Sequence, residues 1–228
     1  MSAETVVQDT TPTGAMIRTL GLISMICGLI IVGAYQGTYD AVQENKRIAV
    51  ERAVFKVIPE AKSIGEYWAL PDNTIAKVDA GKTAPAGAIK FFTGYDGSGK
   101  LAGIAAEGAA KGYADYVRIL FAWDPVKGTV TGFGVVSSRE TPGIGDKITV
   151  NKAFLANFPL DAKLSDDAMA LAHEIRAVKN GSKTHPWEID AIAGATITSR
   201  AVGKAINDSA QALLPRVAPN LSRLKEPS

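Results

Sequence analysis

Asp190-Ala191-Ile192-Ala193-Gly194-Ala195-Thr196, running straight into Ile197-Thr198-Ser199-Arg200, is the stretch from which the rest of the chain is read. An apolar, β-leaning step meets a Gly-Ala corner, and the corner leaves the Thr196 hydroxyl in front of a helix. Ser199 is a favourable N-cap type, so the helix is expected to begin near it. Apolar residues follow at Ala201, Val202, Ala205, Ile206, Ala210, Leu213 and Leu214, close to the helical period, and Pro215 is the expected stop. The N-terminal end of a helix presents unpaired N–H groups and a partial positive charge, and it can hold a phosphate. Gly194 and Ala195 carry almost no side chain, which lets a bulky ligand approach the backbone. On these grounds alone, a strand–turn–helix corner with a capping Thr is the simpler reading and a phosphate site the more demanding one.

A second segment has comparable turn chemistry. Ser137-Ser138-Arg139-Glu140-Thr141-Pro142-Gly143-Ile144-Gly145-Asp146-Lys147 leaves a strand and enters a loop. Pro142-Gly143 signals a type II turn, because Gly accepts positive φ at the third position. Gly145 adds a second permissive point. Such a loop exposes backbone N–H groups at a fixed place, although a plain surface loop has the same signature.

Composition narrows the chemistry. The chain has 228 residues, a net charge of +2, one Cys and two His. The charge predicts no nucleic-acid surface. The single Cys27 lies in an apolar run, which excludes an internal disulfide, an iron–sulfur cluster or Cys-ligated zinc. His173 and His185 make no recognisable metal constellation, so no metal site is expected. If the protein does redox work, its cofactor is organic.

The remaining organisation reads in chain order. Residues 1–15 are polar and expected to be a disordered tail. Thr19 to Tyr39 is a run of 21 uncharged residues, which suits a transmembrane helix over 16–39 with Tyr35 and Tyr39 at an interface. A cleaved signal peptide ending near Val32-Gly33-Ala34 is the competing reading; the length of the run favours a retained anchor. Residues 40–59 read as a juxtamembrane helix, either continuing the span or lying across the next domain. From about residue 74 short strands appear at Ile75–Val78, Ala88–Tyr95, Leu101–Glu107, Tyr116–Trp123 and Thr129–Ser137, with turns at Asp96-Gly97-Ser98-Gly99 and Asp124–Gly128. Helical pattern resumes at 151–157 and 165–176. The expectation is an α+β protein: one N-terminal transmembrane helix, then a domain over 60–214 with a twisted antiparallel sheet and flanking helices, then a tail over 215–228.

Asp190, Gly194, Ala195 and Thr196 together resemble the flavinylation motif of the FMN-binding domain family, in which FMN is joined through its phosphate to the final Thr. Ala193 stands where a hydroxyl residue is usual. Glu140-Thr141-Pro142-Gly143-Ile144-Gly145 is similar to the companion Glu-Thr-Pro-Gly-Leu-Gly motif of membrane-anchored members, with Ser138 where a His is common. Gly112-Tyr113 before a strand also fits, and these features fall in the family's order along most of the chain. Within the family the pattern is most similar to G subunits of Rnf electron-transport complexes, and next to C subunits of sodium-pumping NADH:quinone reductases.

The resemblance implies a covalent FMN on Thr196, with Asp190, Gly194, Ala195, Thr198, Ser199, Glu140, Thr141, Pro142, Gly143 and Gly145 as further cofactor-site residues. It implies a flavin transferase as maturation partner, other Rnf subunits and membrane lipid as partners, and an FMN-binding domain outside the cytoplasm on the cell inner membrane. The charges flanking the span, Arg18 before and Lys46, Arg47 and Arg52 after, lean weakly the other way. The implied function is an electron-relaying component of a ferredoxin:NAD oxidoreductase coupled to Na⁺ or H⁺ movement. No catalytic residue is assigned, and the chain has no Gly-x-Gly-x-x-Gly dinucleotide motif after a strand. A cofactor-free single-pass scaffold is the rival.

Overall fold

The computed structural model describes residues 13–78 and 83–224. The chain divides into two compact units, one ending at Ile48 and the other starting at Ala49. Most of the expected N-terminal tail, 1–12, lies outside the described residues. Residues 13–15 already belong to α1, which runs Thr13–Val57 without interruption. Residues 40–57 therefore continue the helix of the apolar run.

In the first unit α1 contains a window of 18 residues with mean hydropathy 2.2, none of it buried. Its large apolar side chains from Met16 to Val32 point outward, Leu29 at 67 % exposure among them. By length and composition the helix can cross a membrane.

The second unit is built on a seven-stranded antiparallel sheet. Its strands are β1 (Ser63–Ala69), β2 (Ile75–Lys77), β3 (Ile89–Tyr95), β4 (Leu101–Lys111), β5 (Tyr116–Asp124), β6 (Thr129–Ser137) and β7 (Leu160–Asp161), in the order β2-β1-β3-β4-β5-β6-β7. β5 shows why the sequence folds this way. Val117, Ile119, Phe121 and Trp123 enter the main core, while Leu120 and Ala122 enter a second cluster with Val54, Val57, Ile58 and Ala61. Both faces are covered over this half of the strand, so it reads as a continuous apolar run.

The main core is closed by α3 (Thr196–Val217), which packs over β4 and β5. A Cβ at Gly108 of β4 would overlap the Ala205 carbonyl of α3. Only a glycine lets helix and strand approach this closely.

The expected helix at 165–176 does not form. Ser165 Oγ donates to Asp167 Oδ1 at 2.6 Å and Met169 N donates to the same atom at 3.0 Å, making a local turn. Leu171 N then donates to Gln211 Oε1 and Ile175 N to Asn207 Oδ1, both at 3.0 Å. Side chains of α3 take the backbone donors that a helix would have used. The segment leads into β8 (Arg176–Val178), which pairs in parallel with β9 (Glu188–Asp190). At 151–157 the helix is a single turn, α2 (Lys152–Leu155), whose cap Asn151 accepts from Phe154 N at 2.9 Å. β1 was not foreseen, and β4 extends four residues past Glu107, to Lys111.

The expected stop at Pro215 is also displaced. Pro215 lies inside α3, where its missing N–H offers no bond to the Gln211 carbonyl four residues back. The chain goes on as a 3₁₀ helix, Ala218–Leu224. Asn220 Nδ2 donates to Asn73 O at 2.6 Å and Leu224 is fully buried, so 215–224 is packed structure rather than tail. Residues 225–228 lie outside the described residues.

Candidate functional site

Beyond β9 the chain buries Ala191 and Ile192 and turns at Gly194, whose φ is +82. Nothing lies within 4 Å of a Cβ built there, so the corner is open on its outer side. Ala195 N donates to Ile192 O at 3.0 Å, and Ala195 takes the N-cap position without a side-chain cap bond. The helix thus begins at Thr196, three residues before the expected Ser199. Its first N–H groups receive no help from the cap residue and favour an anion.

Three hydroxyls sit in this first turn, and the structure treats them differently. Ser199 is fully buried; its Oγ donates to Ala195 O at 2.9 Å and accepts from Ile192 N at 3.1 Å. It locks the corner from behind instead of capping the helix. Thr198, 2 % exposed, donates to Glu140 Oε2 at 2.5 Å. Thr196 is half-buried and lines a cavity, and among the described residues no side-chain hydrogen bond occupies its hydroxyl.

That cavity measures about 410 Å³ and has three walls. Residues 194–198 form the first. The second is the loop after β6, represented by Glu140, Thr141, Ile144 and Gly145; the third is Tyr113, from the turn between β4 and β5. In the loop, Ile144 N donates to Thr141 O at 3.1 Å and Gly143 has φ +76, the expected type II turn. Pro142 and Gly143 shape this turn but do not line the cavity. Gly145 is not in the positive-φ region; a Cβ there would strike the Glu140 side chain at 2.5 Å.

Glu140 is 8 % exposed, and its Oε1 accepts from Ala114 N at 3.0 Å. Burial resists its ionisation. The bonds from Thr198 and from the N–H groups of Ala114, Tyr113 and Asp115 outweigh that and hold its pKa below the usual carboxylate value.

Asp190 is separated from this cavity. Its Oδ1 accepts from Gly181 N at 2.6 Å, while its backbone N–H donates to Asn157 Oδ1 at 2.9 Å. It borders a second cavity of about 470 Å³ with Lys183, Thr184 and His185. Sequence reasoning left out Tyr113, Ile144 and Ile197, which are 72 %, 51 % and 49 % exposed and rim the first cavity. Single exposed apolar residues are ordinary. Their signal was position: all three lie in the quoted motifs, and Ile197 falls off the buried stripe of its helix.

The volume is within the range of small-molecule sites. An apolar rim suits a flat aromatic ring, an uncapped helix end suits a phosphate, and a free hydroxyl suits an ester bond. FMN has the flat ring and the phosphate that the first two suit. Residues 112–211 match the FMN-binding domain family, a span that takes in all three walls. The G subunit of the ion-translocating oxidoreductase complex of Haemophilus influenzae (strain PittEE) is 30% identical over 196 residues, 86% of this chain and 87% of that one.

The chain belongs to the family of G subunits of ion-translocating oxidoreductase complexes.

A further G subunit, from the Na(+)-translocating ferredoxin:NAD(+) oxidoreductase complex of Acetobacterium woodii, is 30% identical over 159 residues, 68% of this chain and 70% of its own length. Among solved structures, Shewanella oneidensis NqrC superposes with a TM-score of 0.60 at 20% identity, over 79% of this chain and 98% of that one. At that identity the likeness is one of fold. This member of the G-type family therefore combines an apolar helix able to cross a membrane with an FMN-binding domain of NqrC-like architecture.

Proposed function

We propose that this chain carries FMN as a phosphoester on Thr196 and relays electrons within a membrane-bound ferredoxin:NAD oxidoreductase that moves Na⁺ or H⁺. The observation that carries the attachment is the division of labour among the three hydroxyls. Thr198 and Ser199 are buried and bonded, while Thr196 lines the cavity with no side-chain hydrogen bond among the described residues. In the attachment step a flavin transferase presents FAD. Thr196 Oγ1 forms a bond to the phosphorus of the FMN half, the pyrophosphate P–O bond breaks, AMP leaves, and the hydroxyl proton passes to a base of the transferase. FMN, once bound, supplies the electron chemistry.

The chain's own residues hold and shield the coenzyme. The uncapped first turn of α3 would offset the phosphate charge, and Tyr113, Ile144 and Ile197 would offer apolar surface to the ring. The apolar run of α1 sits in lipid of the cell inner membrane, with the domain on the extracytoplasmic side and other components of the complex as partners. The sequence relatives are G subunits, which favours this assignment over a C subunit of a sodium-pumping NADH:quinone reductase.

Co-expression of the full chain with a flavin transferase tests it. The denatured wild-type band is expected to fluoresce as flavin, and Thr196→Val to be dark while still folded. Flavin retained on denatured Thr196→Val would rule out Thr196 as the acceptor.

A further inference from the structure

We propose that Glu140 is a positioning residue: its carboxylate, bonded to donors of the protein, is the joint that keeps the three walls of the cavity in register. This assignment rests on FMN being the occupant of the cavity. The two oxygens serve different walls. Oε1 accepts from Ala114 N at 3.0 Å and Asp115 N at 3.5 Å, on the turn that carries Tyr113, 26 and 25 residues away in sequence. Oε2 accepts from Thr198 Oγ1 at 2.5 Å, on the first turn of α3, 58 residues away. Glu140 itself opens the loop that forms the remaining wall.

A carboxylate only accepts, so it calls for donors and is mismatched to the phosphate and ring carbonyls of FMN. Against three N–H and O–H donors from the protein it is well matched, and bonds to a charged acceptor are the strong ones.

Two glycines belong to the same device. A Cβ at Gly112 would lie 2.5 Å from Oε1, and a Cβ at Gly145 would lie 2.9 Å from Oε2. Neither glycine has positive φ. Their smallness makes room for the carboxylate; backbone freedom is not what these positions require.

Hydrogen exchange on the full-length chain in detergent, without flavin, reads the joint directly. In Thr198→Val and in Glu140→Gln the Ala114 and Asp115 amides are expected to exchange about tenfold faster or more, the size of one lost charge-assisted bond. Thr198→Ser, which keeps the donor, is expected to restore the wild-type rate. With flavin attached, Thr198→Val is expected to lower the fluorescence anisotropy of the native protein while the flavin stays on Thr196. Unchanged exchange in both Glu140→Gln and Thr198→Val overturns the joint, and quickened exchange with unchanged anisotropy overturns its link to the coenzyme. A wild-type chain that carries no flavin after co-expression would instead fell the FMN assignment, and the exchange rates would still decide the joint.

Discussion

The two long helices dispose of their apolar side chains in opposite ways. In the apolar run of α1 they face outward: Ile30 is 65 % exposed, and the hydrophobic window has no buried residue, although Val54 and Val57 at the end of the helix are buried. In α3 they face the sheet, where Val202, Ala205, Ile206, Ala210, Leu213 and Leu214 are completely buried. One helix leaves its hydrophobic demand to its surroundings, and the other meets it within the domain. The difference follows from pattern rather than amount. α1 is apolar all round over its uncharged run, whereas α3 alternates an apolar stripe with Arg200, Lys204, Asp208 and Gln211.

The sharpest way to break this comparison is a matched pair of truncations. Ile206→Ala removes a packed side chain from α3 and should cost about 2–5 kcal/mol of domain stability. Ile30→Ala should leave it unchanged. Denaturant unfolding of the full chain in detergent, followed by Trp fluorescence, measures both; equal losses would mean that the α1 run is packed against the protein after all.

Next in size is a charge in the outward-facing helix. Ile30→Asp should weaken membrane insertion by about 3–4 kcal/mol. The domain's unfolding midpoint should stay where it was. Fractionation after a salt wash reads the first effect, and continued membrane association at wild-type levels would refute the membrane role of this helix.

The smallest effect is a response to acid confined to the domain. Glu188 on β9 is 3 % exposed and accepts from Thr184 N at 3.0 Å and His185 N at 3.2 Å, with Arg176 Nη2 beside it at 3.1 Å. The Thr184 N–H contributes most to lowering its pKa, which falls from 4.5 to about 2 against the resistance of burial. Since the folded value lies below the unfolded one, this stabilisation is complete above about pH 4.5 and fades as pH falls towards 2. Glu188→Gln should flatten that part of the stability–pH curve. The run Thr19–Tyr39 of α1 has no carboxylate or basic side chain and should not respond. A curve unchanged by Glu188→Gln would remove Glu188 as its source.

Legibility in the sequence follows how far each interaction reaches. The apolar run of α1, the hairpins around Asp96–Gly99 and Asp124–Gly128, the Pro142-Gly143 turn with its positive φ, and the Gly194-Ala195 corner before a helix depend on neighbouring residues, and they were readable. What tertiary structure decided depended on donors and acceptors from distant segments. Residues 165–176 carry a helical pattern, yet Gln211 and Asn207 claim their backbone donors. Ser199 has the composition of a cap but is drawn into the first turn, because Ile192 and Ala195 bond its hydroxyl. The motif singles out Thr196, but what each of the hydroxyls of Thr196 and Thr198 bonds to is not written in the segment. Only the arrival of Glu140 from 58 residues away binds one hydroxyl and leaves the other open to the cavity. Short-range turn chemistry and hydrophobic period are properties of a segment; the pairing of a buried polar group is a property of the whole packed domain.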